Sequence, residues 1–379
     1  MDFIPYGTQV IEDDDIAIVA ETLRSGSLTQ GTKVSDFEHA LCGAVGAKYA
    51  VAVANGTAAL HIAALAIGLK KDDEVITTPL TFAASANCVL YCGATPVFAD
   101  IDEETMLLDL EDVKRKITPK TKAIIPVHYG GELCDMDAYE ALSIEYGVQL
   151  IQDSAHSLGS KIRGKHQGSY TGQQTWSFHP VKTITTGEGG AVTTNDYEKY
   201  KKLLRFRSHG ITRDVTQYTH DDEGGWYYEM LDLGYNYRLT DVQCALGVSQ
   251  LKKLERFSTR RREIVKWYNE AFSELPLRVQ KSPEWSDSVR HLYTIRLSDP
   301  KRRKEIFNFL RKKNIGVNVH YIPVYLLPYY KKLGYKIGLC PIAEEAYSSM
   351  ITLPLHPKMT DVHVEYVIEC VREAIRGRL

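Results

Sequence analysis

The sequence predicts an α/β fold built on a mainly parallel sheet that helices cover on both faces. Apolar, β-rich runs alternate with helix-like segments between residues 49 and 151, and several runs are almost continuously apolar. Strands that alternate with helices form parallel sheets, and strands buried on both faces have this apolar content. The last third of the chain has a different pattern, typical of a smaller α/β domain. We therefore predict a large domain at residues 1–250 and a small C-terminal domain at 251–379.

Two amphipathic helices, at 14–24 and 34–45, precede the alternating region, and the loop L-T-Q-G at 28–31 joins them. The strand patterns that follow lie at 49–53, 74–78, 95–99, 123–127 and 148–151. The helix patterns between them lie at 58–69, 81–91, 110–116 and 136–146. Ligands bind beyond the carboxyl ends of the strands in such a sheet, so the residues after 53 and 151 are the first candidates for a site.

Shorter strands and longer helices follow residue 153. Strand patterns at 176–178 and 191–194 enclose a glycine-rich turn, and a helix at 196–210 leads into an aperiodic, tyrosine-rich loop at 211–228. One long helix is predicted at 241–271. The small domain is predicted to have strands at 291–297 and 316–319, and helices at 301–313, 343–350 and 361–376.

Composition excludes several classes of function. The formal net charge of −2 argues against a nucleic-acid partner, and the basic runs at 260–262 and 301–304 have acidic or polar neighbours, which indicates solvated helix faces. No apolar stretch approaches the ~18–20 residues of a membrane span, and the first residues lack the features of a secretory signal. Seven cysteines without metal-type spacing are typical of a reduced, cytoplasmic protein, so we predict no metal site.

Lys182 lies among apolar neighbours in T-W-S-F-H-P-V-K-T-I-T-T-G-E-G-G at 175–190. A desolvated lysine has a lowered pKa and can attack a carbonyl, which favours Schiff-base chemistry with a sugar or with pyridoxal 5′-phosphate (PLP). The alternative is an ordinary surface lysine. Asp153 ends the buried run at 148–154, and PLP needs an acid that keeps its ring nitrogen protonated. We therefore predict that Lys182 and Asp153 are a catalytic pair.

The sequence N-G-T at 55–57 opens a helix directly after a strand. Backbone N–H groups at Gly56 and Thr57, together with the Thr57 hydroxyl, suit a phosphate. The alternative is an ordinary strand-to-helix turn in which Thr57 only caps the helix. Phe82, at the start of the next helix, could stack on the pyridine ring of PLP, and the alternative is a side chain that fills the core.

The whole chain resembles the sugar aminotransferases of the DegT/DnrJ/EryC1/StrS family, which are fold-type I PLP-dependent transferases. The resemblance implies a seven-stranded, mainly parallel sheet, PLP as cofactor, and a homodimer with shared active sites. The motifs that carry it are L-T-Q-G (28–31), N-G-T (55–57), Q-D-S-A-H (152–156), S-F-H-P-V-K (177–182), G-Y-N-Y-R-L (234–239) and V-H-Y (319–321).

The resemblance also implies roles for residues that the pattern alone leaves open. Ser177 would bind the cofactor phosphate beside Gly56 and Thr57, and His156 would lie near the cofactor ring. Asn236 would reach the phosphate of the opposite subunit, although a loop asparagine that satisfies its own turn is the alternative. A structural histidine is the alternative for His156. His320 and Tyr321 would shape the sugar pocket.

Glutamate is implied as the amino donor and a UDP-linked 4-keto sugar as the acceptor, with Lys182 moving the proton. Two bacterial branches are similar over residues 177–190. We favour the branch that converts UDP-2-acetamido-2,6-dideoxy-β-L-arabino-4-hexulose to UDP-4-amino-4,6-dideoxy-N-acetyl-β-L-altrosamine for pseudaminic acid, since G-Y-N-Y-R-L and R-S-H-G (207–210) are more similar to it. The other branch makes UDP-4-amino-4-deoxy-L-arabinose.

Two further functions stay open from the sequence. A sugar 3-dehydratase of this fold has histidine at the position of Lys182, which argues against that reaction. A non-catalytic relative could bind PLP or a nucleotide sugar as a signal, but both Lys182 and Asp153 are retained and no DNA-binding region is added.

Overall fold

The computed structural model describes residues 1–221 and 223–377. The helices are α1 (Asp13–Arg24), α2 (Thr32–Val45), α3 (Gly56–Ala66), α4 (Ala84–Tyr91), α5 (Leu110–Lys116), α6 (Met136–Tyr146), α7 (Tyr197–Arg207), α8 (Asp241–Leu251), α9 (Leu254–Phe272), α10 (Arg303–Lys312), α11 (Pro328–Lys332), α12 (Pro341–Ser349) and α13 (Asp361–Ile375). The strands are β1 (Tyr49–Val53), β2 (Glu74–Thr77), β3 (Thr95–Phe98), β4 (Thr121–Ile125), β5 (Gln149–Asp153), β6 (Lys161–Ile162), β7 (Lys165–His166), β8 (Gln173–Ser177), β9 (Gly190–Thr194), β10 (Ile211–Thr212), β11 (Glu229–Met230), β12 (Leu277–Val279), β13 (Ser286–Asp287), β14 (Tyr293–Leu297) and β15 (Met350–Leu353).

The central sheet has seven strands in the order β1-β9-β8-β5-β4-β2-β3. Strands β8, β5, β4, β2 and β3 are parallel, and β9 is antiparallel to both of its neighbours. This arrangement confirms the predicted α/β class with a mainly parallel sheet. Because β1 runs with the parallel strands, the carboxyl ends of β1, β5 and β8 meet at one edge.

The prediction of one continuous helix at 241–271 is wrong, since α8 ends at Leu251 and α9 begins at Leu254. The side chain of Lys253 is buried at the break, where it contacts the carboxylates of Asp14 and Asp15 in α1. The apolar periodicity continues across the break, so the pattern gives no sign of it.

Two smaller expectations also differ from the structure. Residues 316–319 do not form a strand, because Gly316 packs on the backbone of residues 4–6 and Asn318 makes a single bridge to Thr352. Within the loop predicted at 211–228, Ile211–Thr212 pairs with Glu229–Met230. Tertiary contacts determine the conformation of both segments, and the hydrophobic periodicity of the sequence carries no information about such contacts.

The C-terminal part contains a three-stranded antiparallel sheet, β12-β14-β15, whose apolar core includes side chains of α9, α10 and α13. Contacts cross residue 250: Ile4 bridges to Ile315, and β13 pairs with β6. The division at residue 250 stays a prediction. Within the described residues, every helix is too short or too polar to traverse a lipid bilayer.

Candidate active site

A cavity of about 590 Å³ opens at the carboxyl edge of the central sheet, between this sheet and the segment 318–321. All the predicted site residues except Asn236 line it. They are Gly56, Thr57, Phe82, Asp153, His156, Ser177, Lys182, His320 and Tyr321. The parallel topology explains the convergence, because loops that leave neighbouring strands at one edge meet there.

Asp153 is the last residue of β5 and is 6% exposed. The Ser85 hydroxyl donates a hydrogen bond of 2.6 Å to Asp153 Oδ2, and the Ala155 N–H donates one of 3.1 Å to Oδ1. Burial raises the pKa of Asp153, and the bond from Ser85 opposes this rise. The hydroxyl of Thr81 lies 2.8 Å from that of Ser85, so α4 and the turn before it fix the carboxylate.

Lys182 lies on the connection between β8 and β9, and its N–H bonds to the His179 carbonyl at 2.9 Å. Burial lowers the pKa of Lys182 to about 8; the charge of Asp153 opposes this change and that of Arg261 adds to it. Roughly a tenth of such an amine is neutral at pH 7, far more than of a solvated lysine. The side chain therefore has the properties of a nucleophile.

The N-terminus of α3 forms an anion-binding cradle beside Ser177. The Asn55 side chain caps the helix by accepting from the Ala58 N–H at 2.8 Å. The first N–H groups of a helix, here those of Gly56 and Thr57, have no acceptor inside it and suit a phosphate. A Cβ atom at Gly56 would lie 3.0 Å from the Cβ of Ser177, so the hydroxyl and the helix terminus are adjacent.

Gly190, the first residue of β9, packs directly against this cradle. A Cβ atom at Gly190 would come within 2.4 Å of the Asn55 carbonyl oxygen and 2.7 Å of the Gly56 nitrogen. These distances are impossible for real side chains, so glycine alone permits the approach.

His156 and Tyr321 form a hydrogen-bonded pair in the cavity wall. The Gly130 N–H lies 3.3 Å from His156 Nδ1, which must accept, so Nε2 carries the ring proton and donates to the Tyr321 hydroxyl at 3.2 Å. Burial lowers the pKa of His156 well below its usual value and raises that of Tyr321, so both rings are neutral. The hydroxyl proton of Tyr321 is then free to donate to a ligand.

His320 is also held neutral. Its Nε2 lies 3.3 Å from the side-chain nitrogen of Asn318 and its Nδ1 3.1 Å from the hydroxyl of Thr352. Burial, followed by the charge of Lys182, lowers its pKa to about 4. The wall formed by 318–321 therefore offers neutral donors and acceptors.

Phe82 is 60% exposed, and its ring lies 6.2 Å from that of Tyr321 at an angle of 56°. This exposure contradicts the alternative of a core side chain and leaves the aromatic face open to a ligand. Asn236 is exposed and forms a main-chain bridge with Ser208, outside the cavity of its own chain.

Sequence reasoning missed several residues at the site. Ser85 follows Thr81 by four positions, a helical spacing that could have paired it with the cavity, whereas Tyr6 and Asn318 carry no local signal. The solvated face predicted for 260–262 is wrong for its middle residue, since Arg261 is fully buried. Within the described residues, no cluster of three or more His, Cys, Asp or Glu could hold a metal.

These residues fit PLP: an amine, a strand-end carboxylate and a phosphate cradle share one cavity. Comparison with solved structures agrees, because the Streptococcus pneumoniae sugar aminotransferase Spr1654, in its PLP form, has a TM-score of 0.92 and 32% identity, with 100% of each chain covered. The fold and the comparisons thus define a PLP-dependent sugar aminotransferase. More narrowly, the chain belongs to the DegT/DnrJ/EryC1/StrS aminotransferase family, which matches residues 9–372.

Two other relatives bear on the substrate. Spore coat polysaccharide biosynthesis protein SpsC of Bacillus subtilis is 41% identical over 383 residues, which cover 99% of this chain and 98% of that protein. PseC of Helicobacter pylori, an aminotransferase of pseudaminic acid biosynthesis, is 32% identical with a TM-score of 0.92, over 99% of this chain and 100% of that one.

Proposed function

We propose that this enzyme transfers the amino group of glutamate to C4 of a UDP-linked 4-keto-6-deoxy sugar. The preferred substrate is UDP-2-acetamido-2,6-dideoxy-β-L-arabino-4-hexulose, and the product is UDP-4-amino-4,6-dideoxy-N-acetyl-β-L-altrosamine of pseudaminic acid biosynthesis. The opening of Lys182 and Asp153 into one cavity with a phosphate cradle carries the chemical part of the proposal. The similarity to PseC supports the sugar. A cytoplasmic location belongs to the same proposal.

Lys182 has two roles in this mechanism. Its neutral amine would hold PLP, and once the amino donor has released it, the free amine would act as general base and acid toward the proton on the donor's α-carbon. Bound PLP supplies the electron sink for this proton transfer. Asp153 holds the proton of the ring nitrogen, and Ser85 keeps the carboxylate of Asp153 oriented.

The remaining large-domain residues bind and orient. Gly56, Thr57 and Ser177 hold the phosphate through N–H and hydroxyl donors. Phe82 would cover one face of the PLP ring, and His156 would lie beside it. The exposed ring of Phe82 and the buried ring of His156 suit these two positions.

On the opposite wall, His320 and Tyr321 contact the sugar. Tyr321 is suited to donate a hydrogen bond to a sugar oxygen because its own oxygen already accepts from His156. Neutral groups suit a substrate whose variable part carries hydroxyl and acetamido groups, and pocket contacts of this kind discriminate by a few kcal/mol.

The proposal includes a homodimer in which Asn236 completes the phosphate site of the partner subunit. Asn236 lies outside the cavity of its own chain, and large apolar side chains near it in sequence are exposed, namely Trp226 (73%), Met230 (59%) and Leu233 (76%). Mixing Lys182→Ala with Asn236→Ala subunits tests this arrangement. Restored activity supports shared sites, whereas two inactive proteins that remain inactive after subunit exchange contradict them.

The identity to SpsC, 41%, exceeds that to PseC, 32%, and favours a second candidate: another nucleotide sugar destined for a surface polysaccharide. UDP-4-amino-4-deoxy-L-arabinose remains a further alternative as product. Side-by-side assays of UDP-linked 4-keto sugars with glutamate distinguish these candidates. A kcat/KM for the acetamido-hexulose no higher than for the others would contradict the preferred substrate, and absence of turnover with every sugar would favour a sensor.

A further inference from the structure

Arg261, in the middle of α9, is fully buried without a counter-charge. Its Nη1 donates to the carbonyl of Leu355 at 2.8 Å and, more weakly, to those of Arg290 at 3.4 Å and His291 at 3.5 Å. Its Nε and Nη2 have no hydrogen-bond partner among the described residues, and no carboxylate there forms an ion pair with it. A buried, unpaired cation is costly to the folded state.

Arg290 is a buried arginine nearby that has the carboxylate partner which Arg261 lacks. The Nε of Arg290 lies 2.7 Å from Glu132 Oε1, and both side chains are buried. The two arginines lie in the same part of the protein, since Arg261 contacts the Arg290 carbonyl. Of these two arginines, Arg261 alone has no carboxylate partner among the described residues.

This charge lies behind the wall of the active-site cavity. The His291 carbonyl contacts Arg261, and the His291 ring lies 4.7 Å from that of His156, which lines the cavity with Lys182. The other titratable groups around Lys182 are the carboxylate of Asp153, the exposed side chains of Glu188 and His179, the phenols of Tyr6 and Tyr321, and the three buried imidazoles of His156, His291 and His320. Burial keeps the three imidazoles neutral, so Arg261 is the permanent cation that opposes Asp153.

We propose that Arg261 is a positioning residue whose buried, unpaired charge acts on Lys182 and enlarges the fraction of its amine that is neutral and nucleophilic. The inference rests on the proposed role of Lys182. Without Arg261, burial alone would oppose the carboxylate of Asp153, and a smaller share of the amine would be neutral and able to attack a carbonyl.

The test is competitive acetylation of Lys182 in the full-length chain freed of PLP, followed by mass spectrometry across a pH series. Arg261→Met removes the charge at similar volume, and we expect the labelling midpoint to move to higher pH by roughly one pH unit. Arg261→Lys keeps the charge and should leave the midpoint near that of the wild type. Arg260→Met, on the same helix but paired with Glu263 and Asp361, is the matched control and should not move it.

A second variant keeps Arg261 and adds a carboxylate next to it. It tests the proposal if Arg261→Met does not fold. His356 is buried next to Leu355, whose carbonyl accepts from Arg261, so His356→Glu places a carboxylate near the charge of Arg261. Cancelling the charge in this way should also raise the midpoint. An unchanged midpoint in either folded variant overturns the proposal. The acetylation measures the protonation of the Lys182 amine directly. Its result therefore does not depend on whether the sugar assays show turnover.

Discussion

Lys182 and Lys253 are two lysines withdrawn from solvent in opposite surroundings. Lys253, at the break between α8 and α9, has its Nζ 2.6 Å from Asp14, 2.7 Å from Asp15 and 3.3 Å from Glu12. Burial lowers the pKa of Lys253, but hydrogen bonds to Asp14 and Asp15 outweigh burial and raise it above the usual value. This lysine is a permanent cation that fixes α1.

Lys182 shares its cavity with one buried carboxylate, Asp153, and the buried cation Arg261 lies behind the cavity wall. Burial lowers the pKa of Lys182 to about 8. The comparison teaches that withdrawal from water does not by itself make a lysine reactive. The number of carboxylates within hydrogen-bond distance decides the outcome. The predictions below test this difference between the two lysines.

Lys182→Ala should have the largest effect on activity. Removal of the amine eliminates both covalent binding of PLP and proton transfer, and we expect turnover to fall by roughly 10²–10⁴-fold or more. Amino transfer from glutamate and the visible absorbance of lysine-bound PLP measure the two losses. Retention of that absorbance would show that another amine holds the cofactor.

Asp153→Asn should have the next largest effect. The amide keeps the shape but removes the charge opposite the ring nitrogen, and we expect kcat to fall by roughly 10²–10³-fold. Steady-state kinetics at saturating PLP measures this loss. A near-normal kcat would mean that Asp153 does not face the ring.

Ser85→Ala should reduce kcat by roughly tenfold, because Asp153 loses one charge-assisted hydrogen bond. The bond favours the ionised carboxylate, so the acid limb of the pH–rate profile should move to higher pH. Thr81→Val, which removes only the contact to Ser85, is the control and should have a smaller effect.

Lys253→Met should leave kcat unchanged in the folded, PLP-loaded enzyme but lower the free energy of unfolding by about 3 kcal/mol, because the buried carboxylate of Asp15 loses its cation. The raised pKa of Lys253 means that its stabilisation is complete below the unfolded-state value and is lost as pH rises through the folded-state value. Urea unfolding at neutral and alkaline pH should therefore show a difference from wild type that shrinks at high pH. A large loss of kcat would contradict a structural role.

The sequence alone predicted the central sheet and the meeting of Lys182 with Asp153, because apolar strands in alternation with helices determine which ends share an edge. It did not predict the break at Lys253, where the helical periodicity continues through a buried ion pair. It also placed Arg261 in solvent, since three consecutive arginines give no indication of which one turns inward.

The hydrogen bonds of the cavity wall could not be predicted from the sequence either. The protonated nitrogen of His156 depends on the Gly130 N–H, which is 26 positions away in the chain. Asn318, which contacts His320, belongs to an irregular segment whose path is determined by Gly316 and the first residues. Such contacts depend on side-chain placement after folding and leave no period in the sequence.

The close approach of Gly190 to Asn55 and Gly56 has a practical consequence for engineering. Even a single methyl group at position 190 would displace the cofactor cradle, so randomisation of β9 near this point would yield mostly inactive libraries. Retargeting to a new sugar is better confined to the irregular wall at 318–321, where side chains can change while the phosphate anchor stays intact.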